Sequence, residues 1–190
     1  MIIDKPERIF FTSDLHFNHE NIIKFCGRSC KNVKEMNEMI INNWNSVVPD
    51  NGITFVLGDI FFGRDVDFLR SLIMKLKGEK HLILGNHDYL SNDDYISCGF
   101  LSVQNYLEIG VEKRRIILMH YPIMGWKNVH RGSWMLYGHM HGTYEFMKDE
   151  RKRLLKFNPY IGSKTMDVGV DTNNLTPWSY YEIKSIMDKR

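Results

Sequence analysis

Cysteine is scarce: the 190 residues contain only Cys26, Cys30 and Cys98. An odd number without paired metal-finger spacing points to reduced thiols, as expected in the cytoplasm. The start, Met1-Ile2-Ile3-Asp4-Lys5-Pro6, lacks the long apolar core of a signal peptide. No run approaches membrane-spanning length, so no membrane partner is expected. An excess of one charge is also missing. A net charge of +2 does not mark an obligate polyanion binder, and it leaves room for a phosphorylated ligand or a local basic patch. No internal repeat, low-complexity tract or linker rich in Gly, Ser or Pro divides the chain. Residues 1–190 are therefore expected to form one domain, long enough to bury a core, with no large cap domain.

What is present is a pattern that occurs five times. Ile9-Phe10-Phe11 leads to Asp14-Leu15-His16, and Ile53-Thr54-Phe55-Val56-Leu57-Gly58 leads to Asp59. His81-Leu82-Ile83-Leu84-Gly85 leads to Asn86-His87-Asp88. Ile116-Ile117-Leu118-Met119 leads to His120, and Met135-Leu136-Tyr137-Gly138 to His139-Met140-His141. Each short apolar run reads as a strand buried on both faces. Each delivers a carboxylate, amide or imidazole at its carboxyl end, where open α/β sheets place their sites.

Between these runs, apolar residues at helical spacing predict helices over 33–47 and 65–76, the second ended by Gly78, with a shorter one over 18–25. Alternating strands and helices imply parallel pairing in the first half. In the second half, 100–109 and 113–120 read as consecutive strands joined near Gly110. Segment 143–157 reads as outer strands or a hairpin, and 165–170 as another strand. Thr176-Pro177 opens a last helix over 178–188 that is expected to bury Tyr181, Ile183 and Ile186 or Met187. The sum is a sheet core of two layers flanked by helices.

Residues i and i+2 of a strand share a side, so Asp14 with His16, and His139 with His141, are expected to grip one object. A donor set of Asp, His and Asn without thiolates favours divalent ions such as Mn, Fe, Zn or Ni. Seven donors (Asp14, His16, Asp59, Asn86, His120, His139 and His141) exceed one tetrahedral ion and fit two, with manganese foremost. Two ions roughly 3.5–4 Å apart suit in-line displacement at phosphorus. The glycines before Asp59, Asn86 and His139 are expected to let the backbone turn.

This ordered series, Asp14-x-His16, Gly58-Asp59, Gly85-Asn86-His87-Asp88, His120 and Gly138-His139-x-His141, resembles the calcineurin-like metallophosphoesterases. Its opening, Ser13 to Ile23, looks like the small bacterial and phage-type members. The resemblance implies a four-layer α/β/β/α sandwich with mixed sheets. It implies one metal on Asp14, His16, Asp59 and His141, and another on Asp59, Asn86, His120 and His139, with Asp59 bridging. It further implies a hydroxide between the metals as nucleophile, His87 as general acid, and Asp88 orienting that imidazole. The chain departs from the Gly-Asp-x-x-Asp-Arg-Gly of protein phosphatases, reading Gly58-Asp59-Ile60-Phe61-Phe62-Gly63-Arg64. That weakens the case for a phosphoprotein substrate and leaves Arg64 as a candidate phosphate contact.

Asn18, His19 and His130 are further substrate candidates, each weighed against a turn or surface role. His81, Asp171 and Asn173 read as structural. Phe17, Phe61, Phe62, Tyr89, Tyr121 and Trp126 crowd the motifs; core packing accounts for most, and one or two at a rim would stack on a base. Arg151-Lys152-Arg153 is a basic patch, interleaved with acids as on a solvated hairpin tip. The reading is a phosphoesterase for a small, nucleotide-like phosphodiester or phosphomonoester. A nuclease on RNA or DNA is the alternative, and a binding module without catalysis ranks below both because every ligand is present.

Overall fold

The computed structural model describes residues 1–142, 159–160 and 163–190. The hairpin expected over 143–157 and the basic run Arg151-Lys152-Arg153 lie outside the described residues. Two mixed five-stranded sheets form the centre. The first is built from β2 (Ile9–Thr12), β3 (Ile53–Val56), β4 (Glu79–Ile83) and β5 (Ser102–Gln104), all parallel. Strand β10 (Trp178–Ser179) adds to the β2 edge antiparallel. The second sheet runs β1 (Ile2–Ile3), β6 (Leu107–Val111), β7 (Arg114–Leu118), β8 (Trp134–Tyr137) and β9 (Thr165–Asp167). Only its β6–β7 pair is antiparallel.

Strand periodicity explains the layering. Ile9 and Phe11, Phe55 and Leu57, and Ile83 face Ile116 and Leu118, and Trp134 and Leu136, in a core between the sheets. The alternate residues Phe10, Val56 and Leu82 turn outward into a second core. Helices α1 (Glu20–Phe25), α2 (Val33–Val47), α3 (Val66–Ile73) and α4 (Asn92–Ser97) carry that core's other half, including Ile22, Met36, Ile40, Trp44, Leu69 and Tyr95. On the second sheet, Ile117 and Met135 face away from the centre to meet Trp126 and Val129. Apolar residues on both faces are why these runs lack the alternation of a half-exposed strand.

Helix α2 occupies the predicted range, capped by the Asn32 side chain on the Glu35 amide. Helix α3 is shorter than the periodicity predicts, starting after Asp65, which caps the Phe68 amide. The stretch 100–109 is not one strand: β5 joins the first sheet and β6 the second. The hairpin after β6 turns at Glu112-Lys113, with φ of 47° and 65°, leaving Gly110 paired inside the strand. Two left-handed residues make the turn type that matches strand twist, so position in the ladder overrode the glycine signal.

The last helix, α5 (Tyr180–Asp188), starts two residues late because Ser179 forms a reciprocal capping box with Glu182. Trp178 is thereby freed to pair with Phe11. The shift buries Tyr180 instead of Tyr181, which is 48% exposed. No described helix is long and apolar enough to cross a membrane.

Candidate metal centre

Every candidate donor lies just beyond a strand, not in it. Asp14, His16, Asp59, His139 and His141 have φ of 58°, 49°, 52°, 69° and 48°. The i, i+2 strand geometry therefore does not bring Asp14 to His16. Tight left-handed bends do so, at a cost of roughly 1–2 kcal/mol per residue. Asp, Asn and His tolerate this region better than most residues. Backbone bonds hold the bends: Asp14 N donates to Gly58 O (2.9 Å), His16 N to Asp59 O (2.9 Å) and Gly138 N to His120 O (2.9 Å).

Of the three glycines, only Gly58 has a positive φ, +92°. Gly85 and Gly138 serve as space instead. A Cβ on Gly85 would strike the Asp59 carboxylate and sit 2.6 Å from its amide nitrogen, and one on Gly138 would strike the Ser13 hydroxyl and sit 2.6 Å from Asp14 Oδ2.

The bends assemble two adjoining donor groups, Asp14–His16–His141 and Asp59–His120–His139, whose ligand atoms within each group lie no more than 4.8 Å apart. Asp59 joins them: its Oδ2 is 3.6 Å from His16 Nε2 and 3.6 Å from His120 Nε2. That separation is too long for a hydrogen bond and suits donors arranged around shared cations. Burial lowers the His16 imidazole to about 2, aided by the neighbouring His141 and Arg28 charges, so it is neutral. Its Nε2 is buried without a hydrogen-bond partner. An orphaned lone pair of this kind costs free energy unless a ligand satisfies it.

His120 gives Nδ1 to Leu57 O (2.7 Å), which leaves its Nε2 lone pair 3.0 Å from Asn86 Oδ1. Two electron-rich atoms face one another there, again as they would around a cation. Burial also lowers His120 and His139. Asp14, which accepts from the His139 amide at 3.0–3.1 Å, is pushed by burial up to about 8. The seven donors thus fit divalent ions with oxygen and imidazole ligands.

His87 stands beside this cluster, its ring centroid 5.4 Å from that of His16. Its amide donates to Asp59 Oδ1 (2.8 Å). Asp88 does not orient the His87 imidazole. Its carboxylate accepts from the amides of Gly85 (2.7 Å), Asp59 (2.9 Å) and Ile60 (3.0 Å), and so fixes two ligand loops to each other. Those three bonds oppose the burial that raises it to about 6. The partner of His87 Nδ1 is the Tyr89 hydroxyl, at 3.1 Å.

Sequence reasoning missed a second set of supports. Asp171 reads there as a turn residue, yet its carboxylate meets His141 Nδ1 at 2.7 Å and takes a forked pair of bonds from Arg28. Cys26 Sγ lies 3.4 Å from the same His141 nitrogen. Burial would lower His141, but the Asp171 and Cys26 contacts and the Asp14 charge hold it up at about 10. Asp167 binds the amides of Gly142 (2.9 Å) and Gly169 (2.8 Å). His141 and Asp171 stand 30 residues apart, so no local spacing announces their contact.

Among the substrate candidates, His19 does reach the site: it is 3.4 Å from His16 Nδ1 and stacks on Phe62 at 4.1 Å between centroids. The Asn18 amide group binds Phe62 O (3.2 Å), a loop-bracing role. Arg64 is exposed in the segment that follows. His130 is exposed and its ring contact is with Tyr160. Of the aromatic residues, Phe17, Phe61 and Trp126 are core, while Phe62, Tyr89 and Tyr121 are 40–55% exposed. His81 is structural, bonded to Ser102 Oγ at 2.8 Å. A separate open cleft of about 1020 Å³ lies at the opposite end of β7 and shares no residue with the donors. Its size alone does not make it the reactive site.

The uncharacterized protein MJ1445 of Methanocaldococcus jannaschii is 31% identical over 187 residues, spanning 96% of this chain and 92% of that protein. The gene 66 protein of Mycobacterium phage L5 is 28% identical over 159 residues, spanning 70% of this chain and 76% of its own length. The crystal structure of AQ665, a protein of unknown function from Aquifex aeolicus, has the same fold. Its TM-score is 0.71 at 24% identity, with 94% of this chain and 98% of that one covered. The model of the calcineurin-like phosphoesterase family matches residues 7–171, and the chain belongs to that family.

Proposed function

We propose that this protein is a dinuclear metal-dependent phosphoesterase acting on a small, nucleotide-like phosphodiester or phosphomonoester, without a large cap over the site. Family membership supports metal-dependent hydrolysis of a phosphoester. The observation that carries the dinuclear reading is Asp59 Oδ2 lying 3.6 Å from one imidazole of each donor group. Asp14, His16, Asp59 and His141 would hold one ion, and Asp59, Asn86, His120 and His139 the other. The pair would supply Lewis-acid stabilisation of the phosphoryl oxygens and a water made acidic enough to attack near neutral pH.

The chain's own groups do the rest. Asp59 has one oxygen between the donor groups and the other on the His87 amide, so a single carboxylate sets the distance from metals to acid. The Tyr89 hydroxyl steadies His87 Nδ1, and among the described residues nothing hydrogen bonds its Nε2. That nitrogen is then free to protonate a leaving alkoxide. His19 and Phe62 form a stacked, half-exposed pair one ring away from His16 and His87. A flat base attached to the reacting phosphate would find its stacking surface there.

The test uses manganese-loaded protein and two esters with one leaving group, thymidine 5′-p-nitrophenyl phosphate and methyl p-nitrophenyl phosphate. Stacking is worth about 1–3 kcal/mol per base. The nucleoside ester should therefore show a kcat/KM at least about fivefold higher, and Phe62→Ala should remove the difference. Hydrolysis of neither ester, nor of RNA or DNA oligonucleotides, would refute the enzyme. Turnover confined to oligonucleotides and falling steeply with salt would identify a nuclease instead.

A further inference from the structure

Arg28 is an arginine in an unusual place. It is only 7% exposed, on the turn after α1 and outside every sequence motif of the site. Its guanidinium donates Nε–H to Asp171 Oδ1 (2.7 Å) and an Nη2 proton to Asp171 Oδ2 (2.9 Å). Nη2 also donates to Asp14 O (2.7 Å), and Nη1 to Leu15 O (2.9 Å). Asp171 in turn accepts from His141 Nδ1 (2.7 Å), so that Nε2 of the same ring points to Asp14 Oδ1 at 3.8 Å.

A buried ion pair is weak evidence for stability, because desolvation offsets most of its attraction. What distinguishes this one is its reach. It fixes the left-handed bend at Asp14 and, through Asp171, the ring orientation of His141. Both belong to the Asp14–His16–His141 donor group. Among the described residues no hydrogen bond runs from it to His120, His139 or Asn86, and its onward link to that group, the Asp14 carboxylate on the His139 amide, is to the backbone and not to the imidazole. A simple staple between α1 and the turn 170–172 would need Asp171 but neither carbonyl, nor the imidazole.

We infer that Arg28 and Asp171 are positioning residues for one metal only, the ion held by Asp14, His16 and His141, and leave its neighbour independent. This rests on the two-metal reading above, and it adds an asymmetry that the donor list does not contain. Removing a carboxylate behind a ligating histidine lowers metal affinity by about 10–100-fold. Here that loss falls on one of two ions.

The experiment titrates metal-free wild-type protein, Asp171→Ala, Asp171→Asn, Arg28→Lys and His120→Ala with Mn(II). It is followed by calorimetry and by electron paramagnetic resonance for the coupled pair. Wild type should take two ions. Asp171→Ala and Arg28→Lys should weaken one by about 10–100-fold, leave the other unchanged, and delay the coupled signal until the weak site fills. Asp171→Asn keeps an acceptor for His141 Nδ1–H and should recover part of the loss. His120→Ala should weaken the opposite site.

Circular dichroism checks each variant's fold. If Asp171→Ala does not fold, Asp171→Asn and Arg28→Lys decide, both expected below wild type at one site. Equal weakening of both ions, or none, overturns the inference. A wild type that binds two ions but hydrolyses no ester removes the enzyme reading and leaves this one standing, since affinity alone judges it. A wild type that binds no manganese ends both.

Discussion

His87 and Asp88 are neighbours with opposite duties. His87 carries little of the structure: its ring is half-buried and, among the described residues, its side chain hydrogen bonds only to Tyr89. His87→Ala should therefore keep both metals and its melting temperature. It should slow esters with alkyl leaving groups by about 10²–10⁴-fold while sparing p-nitrophenolate esters, which need no acid. Equal slowing of both classes would remove His87 from the proton transfer. Asp88→Ala should fail differently. It orphans the amides of Asp59, Ile60 and Gly85, at about 1–3 kcal/mol for each buried donor. A large drop in the urea midpoint, together with weak binding of both ions, is the expected result; unchanged stability would contradict the bracing role.

The motif Gly85-Asn86-His87-Asp88 was visible in the sequence, but not which way each side chain points. Asp88 was legible as important and misread in its target, because adjacency along the chain says nothing about facing. Tyr89 was noticed as aromatic, and its hydroxyl bond to His87 is a consequence of two rings turning toward each other in the loop.

At the scale of elements, the strand–helix alternation of the first half was readable because each apolar run packs against two cores. The β5–β6 division was not, since only Asn105 and Tyr106 separate the two strands and nothing in the apolar pattern marks the crossing from one sheet to the other. The hairpin offers a direct test. Lys113, exposed at φ 65°, occupies a position where glycine is free of strain. Lys113→Gly should gain roughly 1 kcal/mol and raise the melting temperature by about 2–4 °C. A fall would mean that the turn is not the left-handed pair described. Gly58→Ala should do the reverse and worse, because its Cβ would lie 2.6 Å from both Gly85 N and His120 Nδ1. Loss of metal binding along with stability, measured on one sample, is the outcome to look for.

At the scale of the whole molecule, the buried site couples folding, protons and metal. Asp14 at about 8 and His141 at about 10 both stand above their unfolded values. Their contribution to the metal-free fold is complete at low pH. Asp14's share is lost between about 4 and 8, and His141's between about 6.5 and 10. Asp171 has the opposite sign. Burial would raise it, but the His141 and Arg28 bonds hold it down at about 2, so its share is present above about 4 and lost as pH falls through 2.

In the proposed two-metal site, metal would replace the protons on Asp14 and His141. Manganese binding near pH 7 should release about one to two protons and strengthen as pH rises toward 8. Calorimetry in two buffers of different ionisation enthalpy measures that release; a buffer-independent heat would refute it. Saturating manganese at about 100 times its dissociation constant should add about 2.7 kcal/mol, and a chelator should remove it.

The sequence by itself determined the two-sheet core and the parallel first half, and it marked seven candidate donors, because strand burial and ligand chemistry are local properties of residue type and order. The tertiary structure alone decided how those donors meet. Left-handed bends, not strand pleats, turn five of them inward, and Arg28 with Asp171 reaches Asp14 and His141 from segments that no spacing links. Distance along the chain carries no information about closeness in space until the sheets stack, and the fine geometry of a metal pocket depends on that closeness.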